Sequence, residues 1–286
     1  MVSFEKAVVI NVKTFEQSTG ANAEALSVLC DRVAEETKGN VIVVVQNADV
    51  YRVVKALDGR RKNHIPVFAQ HVDYVTMGKG TGKDTPEALI ANGAAGVLIN
   101  HSEDKLTKAE GGKILGLEEI QKRVDRCNGT GLATLVCSGY DDESLFVAEA
   151  REIAKMNIGA IAPEPPALIG GEKSVTTEEA AVRRLVSEVK EVNPKLKVLF
   201  GAGVKKGEHV RDSINFGGDG ALLASGVVIP LRGVGDLQGE AKAGVIRRLT
   251  DESLNASEKV LKDLVAGTVT PVDKLNPPGG GSKILV

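Results

Sequence analysis

One carboxylate in this chain stands where a proton-abstracting base would be placed. Glu164 lies in Ala162-Pro163-Glu164-Pro165-Pro166-Ala167-Leu168-Ile169, behind the apolar run Ile158 to Ala162 and ahead of Gly170-Gly171. A residue before proline is pushed out of the helical region into extended conformations, which fixes Glu164 at the tip of a strand. The stretch beyond it can swing on the glycine pair. A fixed base with a lid attached suits the removal of a proton away from water. Strand-end glutamates are common, so the reading depends on the residues that accompany this one.

The elements that must position Glu164 are short apolar runs alternating with amphipathic segments. The runs are Ala7-Val12, Val41-Val45, Val67-Ala69, Gly96-Asn100, Leu132-Cys137, Ile158-Ala162, Val198-Phe200 and Gly220-Leu223. Being apolar almost throughout, they read as parallel strands buried on both faces. Between them, Leu26, Leu29, Cys30 and Val33 recur at helical spacing, with Gly39 as the expected stop. Val182, Leu185, Val186 and Val189 repeat the pattern behind an expected capping box from Thr176 to Glu179. Eight such units in 286 residues predict an α/β protein of the closed (β/α)8 type rather than an open doubly wound sheet.

Active sites of such barrels lie at the carboxyl ends of the strands. Those ends read Asn11-Val12-Lys13, Asn100-His101-Ser102-Glu103, Cys137 and Glu164, followed by the small-residue turns Gly201-Ala202-Gly203-Val204 and Ala224-Ser225-Gly226. Turns after the last two strands are where barrels hold phosphate on backbone N–H groups. Each residue alone has an ordinary explanation. Lys13 could be a surface lysine, His101 a hydrogen-bonded structural histidine, and the turns plain connections. Cys137 reads as a small buried hydrophobe, and His71 as structural or supporting. Their coincidence on one face is what makes the ordinary explanations jointly weak.

Composition bounds the partners. A net charge of -2 gives no general reason to bind nucleic acid or an anionic membrane. No apolar run approaches the ~18 residues of a membrane span, and Met1 to Lys6 lacks a signal-peptide pattern. The three cysteines, Cys30, Cys127 and Cys137, have no metal-ligand spacing and an odd count, which fits a reducing cytoplasm.

Asn-x-Lys after the first run, Asn-His-Ser-Glu after the fourth and Glu-Pro-Pro-x-Leu-Ile-Gly after the sixth resemble triosephosphate isomerase. Ala-Gln-His-Val-Asp and Leu-Ala-Ser-Gly-Val-Val resemble its shorter archaeal branch, and the likeness runs in order from about Val8 to Val228. The resemblance implies interconversion of glyceraldehyde 3-phosphate and dihydroxyacetone phosphate through an enediolate, in glycolysis and gluconeogenesis. It casts Glu164 as the base, His101 as the neutral imidazole that polarises the oxygens and Lys13 as the cation. Asn11 becomes a polar contact and Glu103 a buried supporting carboxylate. Gly170, Gly203, Ala224 and Ser225 fall where backbone N–H groups hold the phosphate. Neither a metal nor another cofactor is expected. The loop Met77 to Gly82 resembles one that reaches a neighbouring subunit, so a homodimer or homotetramer is implied.

The chain departs from the family in three places. Gly170-Gly171-Glu172 replaces the usual Gly-Thr-Gly, which sets a carboxylate near a dianionic ligand unless Glu172 points outward or Lys173 neutralises it. Asp104 stands where arginine is common, which removes an expected salt bridge. Residues 230–255 read as an insertion before the last helix, a flap or subunit contact in a barrel domain of residues 1–270, and 271–286 read as a flexible tail. Two alternatives stand beside the isomerase. A non-catalytic phosphate-metabolite-binding relative would be signalled by an insertion that blocks the site. Another phosphosugar barrel such as an aldolase would need a Schiff-base lysine within the sixth or seventh run, and neither has one at its core.

Overall fold

The computed structural model describes residues 2–165, 174, 176, 178–228 and 249–269. Eight parallel strands close into a barrel, as expected. They are β1 (Ala7–Asn11), β2 (Asn40–Val45), β3 (Val67–Ala69), β4 (Gly96–Ile99), β7 (Ala133–Ser138), β8 (Ala160–Pro163), β9 (Lys197–Phe200) and β10 (Gly220–Leu223). The ring runs β1-β10-β9-β8-β7-β4-β3-β2, and β1 closes it by pairing with both β2 and β10.

Strand alternation divides the apolar residues into two cores. Val9, Ile42, Val44, Phe68, Leu98, Leu135, Ala160, Ala162, Leu199 and Leu222 fill the barrel. Val8, Ile10, Val41, Val43, Val97, Val136, Ile161 and Ala221 pack outward against the helices. Every strand therefore needs apolar residues on both faces, which is why the runs lack polar alternation. Phe68 fills the interior at the level of Gly96, where a β-carbon would fall 2.3 Å from its ring, so only glycine fits opposite it. Phe4 meets Phe68 edge-on at 5.9 Å and caps the lower end. Full burial of Phe68 contributes about 1.5–3 kcal/mol.

The helices surround the ring: α1 (Ala21–Thr37), α2 (Val50–Arg60), α3 (Pro86–Ala91), α4 (Leu117–Thr130), α5 (Glu143–Ala154), α6 (Glu179–Val192), α7 (Gly207–Asn215), the single turn α8 (Ser225–Val228) and α9 (Asp251–Ala266). Two local expectations fail. Lys38, not Gly39, takes the left-handed position after α1, at φ 57°. Gly39 is instead required by close packing, since a β-carbon there would lie 2.3 Å from Val265 Cγ1 on α9. The capping box at Thr176–Glu179 does not form. Helix α6 starts at Glu179, its cap Glu178 makes no side-chain cap bond, and the Thr176 hydroxyl pairs with Ser174. A capping box occurs instead at Thr250–Ser253, opening α9.

Because α9 begins at Asp251, residues 251–255 of the expected insertion belong to the closing helix. Residues 230–248 and the expected tail, 271–286, lie outside the described residues. A further feature escaped the sequence reading: β5 (Lys108–Glu110) and β6 (Lys113–Leu115) form an antiparallel hairpin between β4 and α4. Gly111 and Gly112 turn it with φ of 57° and 73°, the paired positive values a tight hairpin needs. Among the described residues no helix is long and apolar enough to cross a membrane.

Asp31 on α1 ties the helical layer together. Its side chain is fully buried and accepts bonds from Arg60, Arg61 and the Ile65 N–H. Burial alone would raise its pKa, but the two guanidinium groups and the N–H outweigh that and hold the carboxyl below its ordinary value. Asp31→Asn keeps the shape and loses the charge, lowering stability at neutral pH by about 1–3 kcal/mol. A depressed carboxyl stabilises the fold above its unfolded pKa and ceases to do so as pH falls through the folded value. Urea midpoints of the two proteins should therefore differ at neutral pH and converge once acid has protonated the Asp31 carboxyl, below the usual carboxylate range; a gap persisting there would place the stabilisation elsewhere.

Candidate active site

The strand ends of β1, β4, β7, β8, β9 and β10 meet at one mouth of the barrel. Ala160 and Ala162 face the interior, so alternation sends Glu164 inward as well. Its N–H donates to Ser138 O at 2.8 Å, and its side chain is buried. Glu164 Oε2 has no hydrogen-bond partner within the protein and lies 3.7 Å from His101 Nε2. That separation is too long for a hydrogen bond, so neither group is occupied by the other. Leaving a buried acceptor unmade costs about 1–3 kcal/mol, a cost that functional positions bear.

His101 is oriented by a break in the strand pattern. Leu98 faces the interior, so strict alternation would point residue 101 outward. Asn100 breaks the alternation with φ of 62°. Its Oδ1 accepts from the N–H groups of Leu106 (2.8 Å) and Thr107 (3.3 Å), and its Nδ2 donates to Cys137 O at 2.9 Å. Asparagine tolerates this left-handed conformation better than most residues. The 3₁₀ turn Ser102–Asp104 then brings the Glu103 N–H to His101 Nδ1 at 3.2 Å. Because Nδ1 accepts, the ring proton resides on Nε2 and faces Glu164.

Lys13 is half-buried rather than solvated, and it too has positive φ, 51°. Asn11 Oδ1 accepts from its N–H at 3.1 Å, and Gln70 Nε2 donates to both Asn11 Oδ1 and Lys13 O at 3.1 Å. Lys13 Nζ reaches Glu103 Oε1 at 2.6 Å. Glu103 was expected to be buried and is not. Its side chain is 59% exposed, because the 3₁₀ turn lifts it above the mouth toward the lysine. Asp104, the residue in place of arginine, turns the other way and pairs with His71 Nδ1 at 2.7 Å, while His71 Nε2 lies 3.5 Å from Asp73. Thus His71 ties the segment after β4 to that after β3.

The two small-residue turns lie together. Ala202 and Gly203 have φ of 77° and 70°, and Gly226 of the second turn approaches the end of the first so closely that its β-carbon would sit 3.1 Å from Lys205 Cα. Ala224 and Ser225 start α8, whose first N–H groups have no partner within the helix. Gly170 lies outside the described residues, as do the other lid residues from 166 to 173.

Cys137 is buried in the barrel, as expected of a small hydrophobe, and it also abuts Glu164. Burial, the Glu164 charge and a hydrogen bond to that carboxylate push its thiol well above the usual range. Gly201 packs against the same carboxylate. The roles of Gln70, Asn100 and Gly201 were not read from the sequence, since each acts through a contact made only in three dimensions. The one available signal was asparagine at a strand end, where a left-handed turn is tolerated.

Fold and site together define a (β/α)8 barrel whose mouth gathers a buried glutamate, an opposed imidazole and two small-residue turns. Known proteins agree. A family model described as triosephosphate isomerase matches residues 6–231. Triosephosphate isomerase of Methanobacterium bryantii is 36% identical over 223 residues, covering 78% of this chain and 89% of that protein. The enzyme of that name from Methanocaldococcus jannaschii is 35% identical over 222 residues, 77% and 92% of the two chains. That of Methanosarcina barkeri is 35% identical over 77% and 90%. The chain belongs to the triosephosphate isomerase family.

A β-carbon at Gly201 would lie 2.4 Å from both Cγ and Oε1 of Glu164. Gly201 has no positive φ to protect, so Gly201→Ala should fold with little change in Tm while displacing the carboxylate. Since a misplacement of ~1 Å can cost on the order of 100-fold in rate, kcat should fall by about that factor. A wild-type kcat would show that the position of Glu164 is not fixed by this contact.

Proposed function

We propose that the chain interconverts glyceraldehyde 3-phosphate and dihydroxyacetone phosphate with Glu164 as the base and His101 as the electrophile. The observation that carries the assignment is the buried Glu164 Oε2, unpartnered and 3.7 Å from His101 Nε2. Glu164 takes the proton from the carbon next to the carbonyl, and the carbonyl oxygen gains negative charge as the enediolate forms. His101 donates Nε2–H to that oxygen, and a donor already in place needs no reorganisation as charge develops. Returning the proton from Glu164 to the neighbouring carbon completes the isomerisation. One carbon gains the two electrons that the other gives up, so the chemistry calls for no external oxidant or reductant.

Lys13 supplies positive charge against the phosphate and the oxyanion, with Asn11 holding its backbone and Glu103 its ammonium. The backbone at Gly203, Ala224 and Ser225 receives the phosphate, with Gly170 assigned to the same task from the lid. The enediolate eliminates phosphate readily in water, so exclusion of solvent protects the intermediate as well as the proton transfer. The activity belongs to central sugar metabolism, in glycolysis and gluconeogenesis. Three free, buried cysteines support a cytoplasmic location.

Glu164→Gln should fold and lose about 10²–10⁴-fold in kcat in a coupled assay of the two triose phosphates, the usual contribution of a general base. Retention of most of the activity, with host isomerase removed, would refute the assignment. We also assign assembly into a homodimer or homotetramer to the loop after β3, where Met77 is 69% exposed. Light scattering should read two or four chains for the native protein and a lower mass for Met77→Glu. A monomeric native protein would refute it.

A further inference from the structure

Glu149 lies on α5, outside the constellation above, and its side chain is fully buried. The neighbouring inward residues of that helix, Phe146, Ala150 and Ile153, are apolar, so a charge is out of pattern on this face. A carboxylate removed from water persists only where donors surround it. Gly139 N–H, just past β7, donates to Oε2 at 2.7 Å. Lys105 Nζ donates to Oε1 at 3.0 Å and to Oε2 at 3.3 Å. Thr107 Oγ1 bonds to Oε1, and Asn100 Nδ2 approaches the same oxygen at 3.5 Å. The Lys105 ammonium is further held 4.3 Å over the Tyr140 ring.

Apart from Gly139, all these donors belong to residues 100–107, the segment that carries His101 and Glu103. Asn100 is the residue whose left-handed conformation turns His101 toward the site. Its amide closes the segment on Leu106 and Thr107, and Glu149 grips the segment from outside at Thr107, Lys105 and Asn100 itself. Such strained positions persist only where surrounding contacts over-determine them.

We propose that Glu149 is a positioning residue for the isomerase reaction: from the helix layer it holds the 100–107 segment so that His101 meets the developing oxyanion. The proposal rests on the assignment of His101 as the electrophile. In Glu149→Gln the amide oxygen can still accept from Gly139, but its NH2 group confronts the donors of Lys105 and Asn100. The segment loosens while the helix keeps its shape.

The test is steady-state kinetics of Glu149→Gln, with His101→Asn as the control and inorganic phosphate as the binding probe. A small displacement costs on the order of 10- to 100-fold in rate, so kcat should fall by that factor with KM and phosphate affinity nearly unchanged. The imidazole 15N resonances of His101 should also move away from the single Nε2–H pattern of the native protein. Should Glu149→Gln fail to fold, Thr107→Val removes one of the same bonds and is read by the same criteria. If His101→Asn keeps its activity, the assignment beneath fails. If His101→Asn is inactive while Glu149→Gln keeps native kcat, or loses kcat and phosphate affinity in equal proportion, Glu149 only braces the fold and the proposal is overturned.

Discussion

Closure of the parallel ring, in which β1 bonds to both β2 and β10, is the constraint on which everything else in this molecule depends. Parallel strands in a closed ring all end on the same side, so residues separated by 151 positions along the chain, such as Lys13 and Glu164, arrive at one mouth. The same closure requires each strand to be apolar toward the interior and toward the helices. Polar chemistry is thereby confined to the strand ends, and the mouth concentrates the polar residues that the walls exclude.

At those ends the backbone leaves the regular strand conformation. Lys13, Asn100 and Ala202 are three of the five non-glycine residues with positive φ among the described residues, and each stands at the mouth. Such conformations cost free energy and are held by side-chain clamps. Asn11 and Gln70 hold Lys13, while Asn100 closes the next segment through its own amide. The site is rigid because hydrogen bonds from neighbouring strands restrain the turns that carry it, and the barrel in turn restrains those neighbours.

The sequence displayed the barrel clearly because buried parallel strands have a strong signature, and all eight runs correspond to ring strands. The base was legible for a similar reason: prolines on both sides of Glu164 leave it little conformational choice. What stayed hidden depended on distant contacts or on weak patterns. The β5–β6 hairpin is largely exposed and each of its strands is three residues long, so no apolar alternation marks it. Glu103 was cast as buried by the family resemblance, but a 3₁₀ turn carries it outward. Lys38 takes a left-handed position that Gly39 seemed to own, because Gly39 is needed for contact with Val265. None of these outcomes is encoded in local spacing.

Helix α9 has a consequence for how the molecule is made. It packs on α1 and α7 through contacts that admit no side chain. A β-carbon on Gly267 would meet Gly207 O at 2.1 Å, one on Gly207 would meet Asp263 O at 2.2 Å, and the Gly207 N–H donates to Asp263 Oδ2 at 2.7 Å. During synthesis on the ribosome, β1 emerges before the other ring strands, but its second partner β10 and helix α9 emerge after all of them. For most of translation the nascent chain carries an apolar strand with one unsatisfied edge, the kind of surface that recruits other chains. The barrel cannot be completed domain-fashion from its N-terminus, so the ring closes only after β10 and α9 have been made, and that closure removes the exposed edge.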